Sequence, residues 1–541
     1  MKQLKNTKWL IAALALTLSI CFALTGCGSD GSSEDGASVT TKYGTYIGVD
    51  NDNGVKSFKG IPYAKQPVDE LRWKEAQPLE ESSETIDCSE YGNTPIQVKD
   101  EFEGASLTPQ GEDCLTVNVW TKDTDAKKPV MVWIYGGGNT NGGTADPMYD
   151  CMNMAESNDV VMVSFNYRVG VFGFLDLSEI GGKDYEYSRN LGVLDQIAAL
   201  NWIKENITSF GGDPENITVF GESAGGSAIM RLMSTEKTDG LFHKAIIQSG
   251  GPANILHMGE TPADEVASSK YVAKQFMKIT GAKDLDELLA MSAEDIQKYS
   301  EQLSDEIGDD LDVATWGCIA DGYAFSENVF DSIADGAGSG VDIMIGTNKN
   351  EFNYFYLYDE NLDKSMEEEF PGGTTLGKDF SKNQEAAKKY IEHLGDDPEK
   401  YIRFGSEYCI IQPSHIFADL QTQYNNVYVY EWDWNSQIDK LKAAHATELA
   451  FVFGNFDTDE ARKYNGENLS EEFSKQVQSA WVNFATNGNP SVDGVCDWPK
   501  YELNKRMVMT IDENKWEAVS DPDKDGREYL RDMYDVKAPA K

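Results

Sequence analysis

Residues 221–225, GESAG, place a serine between two glycines, just after the apolar Ile217, Val219 and Phe220 and just before the helix-like stretch GSAIMRLMS. At a strand-to-helix corner, Gly221 and Gly225 permit a sharp turn that lifts the Ser223 hydroxyl to its apex over a helix N-terminus. The same pattern also serves as a plain tight turn, so the serine needs partners to count as a nucleophile. It attacks only if a base takes its proton, and histidine titrates in the useful range. Five histidines exist, at positions 243, 257, 393, 415 and 445. In the chain order serine, acid, histidine, with each partner on a loop leaving a strand, Glu351 follows VDIMIGTNKN and His445 follows NVYVYEWDW. His243 sits beside the strand KAIIQSG, and His257 lacks an acid in that order. His393 falls at a polar helix end and His415 in a loop after Pro413. A developing oxyanion needs rigid N–H donors, which Gly136, Gly137 and Gly138 offer after the strand in WIYGGGNTNGG, with the N–H of Ala224 beside the serine.

These groups must be carried by a scaffold that brings distant loops together. From about Val39 onward, strand-length runs alternate with helical patterns: PVMVWIY, VVMVSFNY, NITVF, KAIIQS, VDIMIG and NVYVYEW. Such alternation predicts an α/β chain built on a mainly parallel sheet of buried central strands. Leu191, Leu194, Ile197, Leu200 and Ile203 recur near helical spacing between two of them. Two strand-poor, acidic stretches, about Thr261 to Asp312 and residues 360–400, are expected to be helical insertions over one end of the sheet.

The whole chain narrows the choice of partner. Its 541 residues suffice for one large domain. Lys plus Arg number 47 against 91 Asp plus Glu, and this net charge of −44 opposes binding to nucleic acid or an anionic membrane surface. The N-terminus is of another kind: Lys2, Lys5 and Lys8 precede an apolar run from Trp9 to Leu24, as in a secretory signal. Its end, LTGC, resembles the lipobox of bacterial lipoproteins, which implies lipidation of Cys27 after removal of residues 1–26. Residues 27–40 are expected to be a flexible tether, with residues 41–541 as the folded domain. The expected location is the cell envelope, with membrane contact only through that lipid anchor. None of the eight cysteines forms a CxxC and no Cys/His cluster has zinc-site spacing, so no metal is expected.

With these residues in view, the chain resembles the type-B carboxylesterase family, and most of all its bacterial para-nitrobenzyl-type members. Blocks carrying the resemblance run in family order over about residues 43–515: FKGIPYAKQPVDELRW, EDCLTVNVW, NYRVGVFGFL, FGGDPENITVFGESAGG, LFHKAIIQSGG and HATELAFVFG. The resemblance implies an α/β-hydrolase fold and hydrolysis of small-molecule esters without a cofactor. It implies Ser223 as nucleophile, Glu351 as acid, His445 as base, and Gly137, Gly138 and Ala224 as oxyanion donors. It further implies a Cys88–Cys114 disulfide, ion pairs of Arg72 with Glu112 and Arg168 with Asp195, and Glu222 as a buried acid beside the site. Two departures stand out. Asn139 follows the oxyanion glycines where the family has an aromatic residue. Residues 89–113 contain no tryptophan, which removes the cation–π platform of the cholinesterases. Adhesion members of the family lack the serine; this chain keeps all three triad positions, against a purely binding role.

Overall fold

The computed structural model describes residues 36–98, 109–251, 269–307, 315–369, 384–534 and 536. Its framework is an eleven-stranded sheet whose strands, in chain order, are β1 (Val49–Asp50), β2 (Lys56–Pro62), β3 (Thr116–Thr121), β4 (Lys128–Ile134), β5 (Val161–Phe165), β6 (Gly212–Glu222), β7 (Lys244–Gln248), β8 (Asp342–Asn348), β9 (Val427–Trp432), β10 (Met507–Asp512) and β11 (Lys515–Ser520). Across the sheet they run 11-10-9-8-7-6-4-5-3-2-1. Strands β5, β4, β6, β7, β8, β9 and β10 are all mutually parallel. Every residue of β5 and β9 is buried, as strands covered by helices on both faces must be.

The expected parallel block is present, but both edges add antiparallel strands, so the sheet is mixed. Six of its seven parallel strands were legible as apolar runs, and β10, only partly buried, was not singled out. The edge strands are shorter or only half buried, and a weak pattern carries little signal. Residues 38–41, which straddle the expected boundary at residue 41, form a strand. Ser38–Thr41 pairs with Gly44–Ile47, and the buried Val39 lies opposite the buried Tyr46.

Register brings the strand ends together. Gly221 of β6 lies between Ile134 of β4 and Ile247 of β7, Gln248 pairs with Gly346 of β8, and Asn348 pairs with Trp432 of β9. Loops leaving the carboxyl ends of these strands therefore meet above the middle of the sheet. Beneath them Trp133 packs 4.9 Å, ring centre to ring centre, from both Phe220 and Phe453. Those rings join β4, β6 and the short helix Leu449–Phe453 that follows His445.

Both expected ion pairs form. Arg168 grips Asp195 with Nε and Nη2, each at 2.7 Å, and both side chains are buried. Removing one partner of such a buried pair typically costs about 3–5 kcal/mol. Arg72 holds Glu112 through two bonds of 2.5 Å, and its Nη1 donates to the carbonyls of Leu289 and Met291. That bond set ties the helical insertion to the main body. Among the described residues of the two insertions lie the helices Ser269–Thr280, Leu285–Leu289, Ala293–Ile307, Leu362–Glu369 and Gln384–Leu394.

The expected Cys88–Cys114 bridge is absent: both are buried free thiols. They sit among different neighbours. Cys114 lies near Asp195 and Arg168, while the charged neighbour of Cys88 is Asp87. Burial pushes both thiols up, Cys88 to about 12, so neither forms a thiolate readily. Dithiothreitol is expected to leave the thermal midpoint of the purified protein unchanged. A fall of several degrees, the signature of a lost loop-closing bridge, would show that the two are joined.

Candidate active site

The strand-to-helix corner exists as expected. β6 ends at Glu222, and the helix Ala224–Leu232 begins immediately after Ser223, which has φ 57° and ψ −122°. A serine pays about 1–3 kcal/mol for such a backbone, so the surroundings must enforce it. They do so by close approach. A Cβ on Gly225 would lie 2.0 Å from the Ile134 carbonyl oxygen, and one on Gly221 would lie 2.6 Å from the same atom. The Ser223 N–H is fixed by the Gln248 carbonyl at 2.9 Å.

The glycine loop stands beside the serine because β4 pairs with β6. Gly136 packs so closely that a Cβ there would lie 3.0 Å from Ser223 Cβ. Gly137 and Gly138 have φ of 88° and 61°. Among the described residues, the N–H groups of Gly137 and Gly138 donate to no protein acceptor, and the Ala224 N–H is the first of its helix. Asn139 continues the left-handed run at φ 64° and is buried. Asparagine tolerates that conformation better than the aromatic residue usual in the family.

Glu351 is fully buried in the turn after β8. Its Oε1 accepts the Asn348 N–H at 2.7 Å, and its Oε2 lies 2.6 Å from His445 Nδ1. The acid thereby sets the ring's orientation and the tautomer with a proton on Nδ1. The His445 N–H also donates to the Glu351 carbonyl at 3.2 Å. His445 Nε2 lies 3.1 Å from Glu222 Oε1. Among the described residues, Ser223 Oγ makes no hydrogen bond to His445. Burial alone would push the imidazolium down, but Glu222 and then Glu351 outweigh it and hold it up to about 10. The carboxylates thus favour the charged ring, and Nε2 acts as a base only after giving up its proton.

The other histidines stand elsewhere. His243 accepts the Ile217 N–H on Nδ1 at 3.3 Å, near the amino end of the parallel strands. Partly exposed His393 pairs with Asp525 at 3.0 Å. His415 pairs with Asp523 at 2.9 Å and lies inside the helix Gln412–Gln421, not in the expected loop. The π-helical turn Glu407–Ile411 runs straight into this helix, and its wider hydrogen-bond spacing accommodates a proline that lacks its N–H. His257 lies outside the described residues. Glu448, three residues beyond His445, also reaches the site and was not singled out from sequence; its spacing along one helical turn was the only signal.

A cavity of about 1330 Å³ lies apart from this cluster, between the turns before β7 and β8, with walls that include His243, Tyr323 and Val341. Those turns are at the amino ends of the strands, whereas Ser223, Glu351 and His445 follow carboxyl ends, where α/β sheets hold their ligands. Among the described residues, no group of three or more His, Cys, Asp or Glu is placed to hold a metal.

Residues 35–526 match the family model described as the carboxylesterase family. The para-nitrobenzyl esterase of Bacillus subtilis (strain 168) is 38% identical over 506 residues, spanning 91% of this chain and 98% of that enzyme. A medium-chain fatty acyl-CoA hydrolase precursor of Anas platyrhynchos is 30% identical, spanning 91% and 92%. Among solved structures, a thermophilic PNB esterase superposes with a TM-score of 0.79 at 34% identity, covering 91% of this chain and 99% of that one.

The charge arrangement carries a pH dependence. Glu222→Gln removes the strongest carboxylate attraction on His445, so the imidazolium is less stabilised and loses its proton at lower pH. The acid limb of kcat/KM for an ester is expected to move to lower pH. A limb that stays in place would mean that Glu222 does not set the ionisation of His445.

Proposed function

The chain belongs to the carboxylesterase family and is a serine carboxylesterase, and we propose that Ser223, His445 and Glu351 are its nucleophile, base and acid. The observation that carries this reading is the 2.6 Å contact of His445 Nδ1 with Glu351, next to a serine held at φ 57°. In the proposed reaction, Ser223 Oγ attacks the ester carbonyl carbon as His445 Nε2 takes the hydroxyl proton. Glu351 stabilises the imidazolium that forms, and the N–H groups of Gly137, Gly138 and Ala224 bind the oxyanion. Collapse breaks the bond to the alkoxy oxygen, and His445 returns the proton to the departing alcohol. Water, deprotonated by the same histidine, then attacks the acyl-enzyme, releasing the carboxylic acid and restoring Ser223.

The triad is tested by Ser223→Ala, assayed with para-nitrophenyl esters. Turnover is expected to fall by about 10⁴-fold or more, while His415→Ala stays close to the parent. Near-normal activity in purified Ser223→Ala would refute the assignment.

For location, the reading rests on the N-terminal sequence, because residues 1–35 lie outside the described structure. A diacylglyceryl group on Cys27 would supply two acyl chains, enough for stable anchoring. Among the described residues, no helix is long and apolar enough to cross a membrane. Cys27→Ser is expected to move the activity from the detergent phase to the aqueous phase with specific activity unchanged. Unaltered partitioning would argue for an uncleaved apolar anchor instead.

A further inference from the structure

The bonds that hold Glu351 and the loop of His445 converge on one residue outside the triad. Asn348, fully buried, is the last residue of β8. Its backbone N–H donates to Glu351 Oε1 at 2.7 Å. Its side-chain amide donates at 2.5 Å to the carbonyl of Ala444, immediately before His445, and at 2.8 Å to Glu448 Oε2. Glu448, also fully buried, is gripped on Oε1 by Gln248 Nε2 at 3.0 Å. Gln248 accepts Trp481 Nε1 on its side-chain oxygen at 3.0 Å and the Ser223 N–H on its carbonyl at 2.9 Å. One chain of amide bonds therefore runs from the nucleophile, through Glu448, to the acid and the base.

Resting on the triad assigned above, we propose that Asn348 is a positioning residue for ester hydrolysis: its amide fixes the histidine loop against the acid strand and holds the Glu448 carboxyl group in place. Each Glu448 oxygen accepts an amide N–H, an arrangement that suits the acceptor-only carboxylate. Burial pushes the Glu448 carboxyl up, and the amides of Asn348 and Gln248 pull against it. Burial already outweighs the two amides, and loss of the Asn348 amide raises the Glu448 carboxyl further.

Groups from every neighbouring element face this pair. Glu222 approaches His445 from the end of β6, Glu351 from the turn after β8, and Glu448 from its own turn. The Tyr354 ring lies edge-on to the imidazole with ring centres 5.8 Å apart. The Tyr430 hydroxyl, from β9, lies near Glu448, Glu351 and Glu222. Lys349 faces Glu431 and Asp433 instead. Loss of negative charge at Glu448 therefore lowers the pH at which His445 gives up its proton.

The test compares Asn348→Ala, Glu448→Gln, the double variant and Ser223→Ala, using kcat, KM and the pH profile on a para-nitrophenyl ester. Asn348→Ala is expected to lower kcat by about 10- to 100-fold with KM within about twofold, the mark of a displaced catalytic pair. Its acid limb is expected to move to lower pH. Glu448→Gln should move the limb the same way, and the double variant should move it no further than Glu448→Gln alone, because both changes act through one carboxylate. A purely structural asparagine would lower stability and leave the limb in place, and that result overturns the proposal. Should Asn348→Ala fail to fold, the isosteric Glu448→Gln decides alone, an unmoved limb being fatal. An inactive Ser223→Ala beside unmoved limbs sinks only the role of Asn348, whereas an active Ser223→Ala sinks the triad itself.

Discussion

The site depends on how closely two backbones approach beside Ser223. Strand β4 and the turn that ends β6 come together so tightly that a single methyl group on Gly225 would overlap the Ile134 carbonyl oxygen. This contact makes the corner sharp, holds Ser223 in a backbone conformation that serine alone disfavours, and brings the glycine loop after β4 alongside the hydroxyl. The strain is held by what lies below. The Trp133, Phe220 and Phe453 rings interlock β4, β6 and the helix after the histidine, so the corner cannot relax without opening the core.

A second constraint follows from placing the acid and base above the middle of the sheet. Carboxylates there lose water, and each must find donors or a cation. Glu351 finds the Asn348 N–H and His445, Glu448 finds two amides, and Glu222 lies against the imidazole. The same carboxylates favour the imidazolium, the species that proton abstraction from the serine creates. An attraction strong enough to stabilise that state also favours the proton on the resting His445.

Where expectation and structure part, the cause is context that sequence spacing does not carry. Two cysteines in a family block implied a bridge, but a bridge needs thiols aimed at one another, and these two are buried among different neighbours. Residues 38–40, expected to lie in the tether, belong to a strand because Val39, within a polar stretch, finds a buried partner in Tyr46. Pro413 suggested a loop at His415, yet the π-helical turn just before it carries the helix past the proline.

The amino-acid sequence by itself determined six of the seven parallel strands, the corner at Ser223, the run of glycines after β4, and a short set of histidines from which chain order selected His445. These are local features, written in apolar runs, glycine placement and spacing, which act on the chain within a few residues. Only the tertiary structure decided that the ends of β4, β6, β7, β8 and β9 lie side by side, that Glu222 and Glu448 join Glu351 around the imidazole, and that one asparagine bonds to both sides of the acid–base pair. Strand order and register create those contacts between residues up to about two hundred positions apart, and the strength of each contact depends on removal from water, which no stretch of sequence specifies alone.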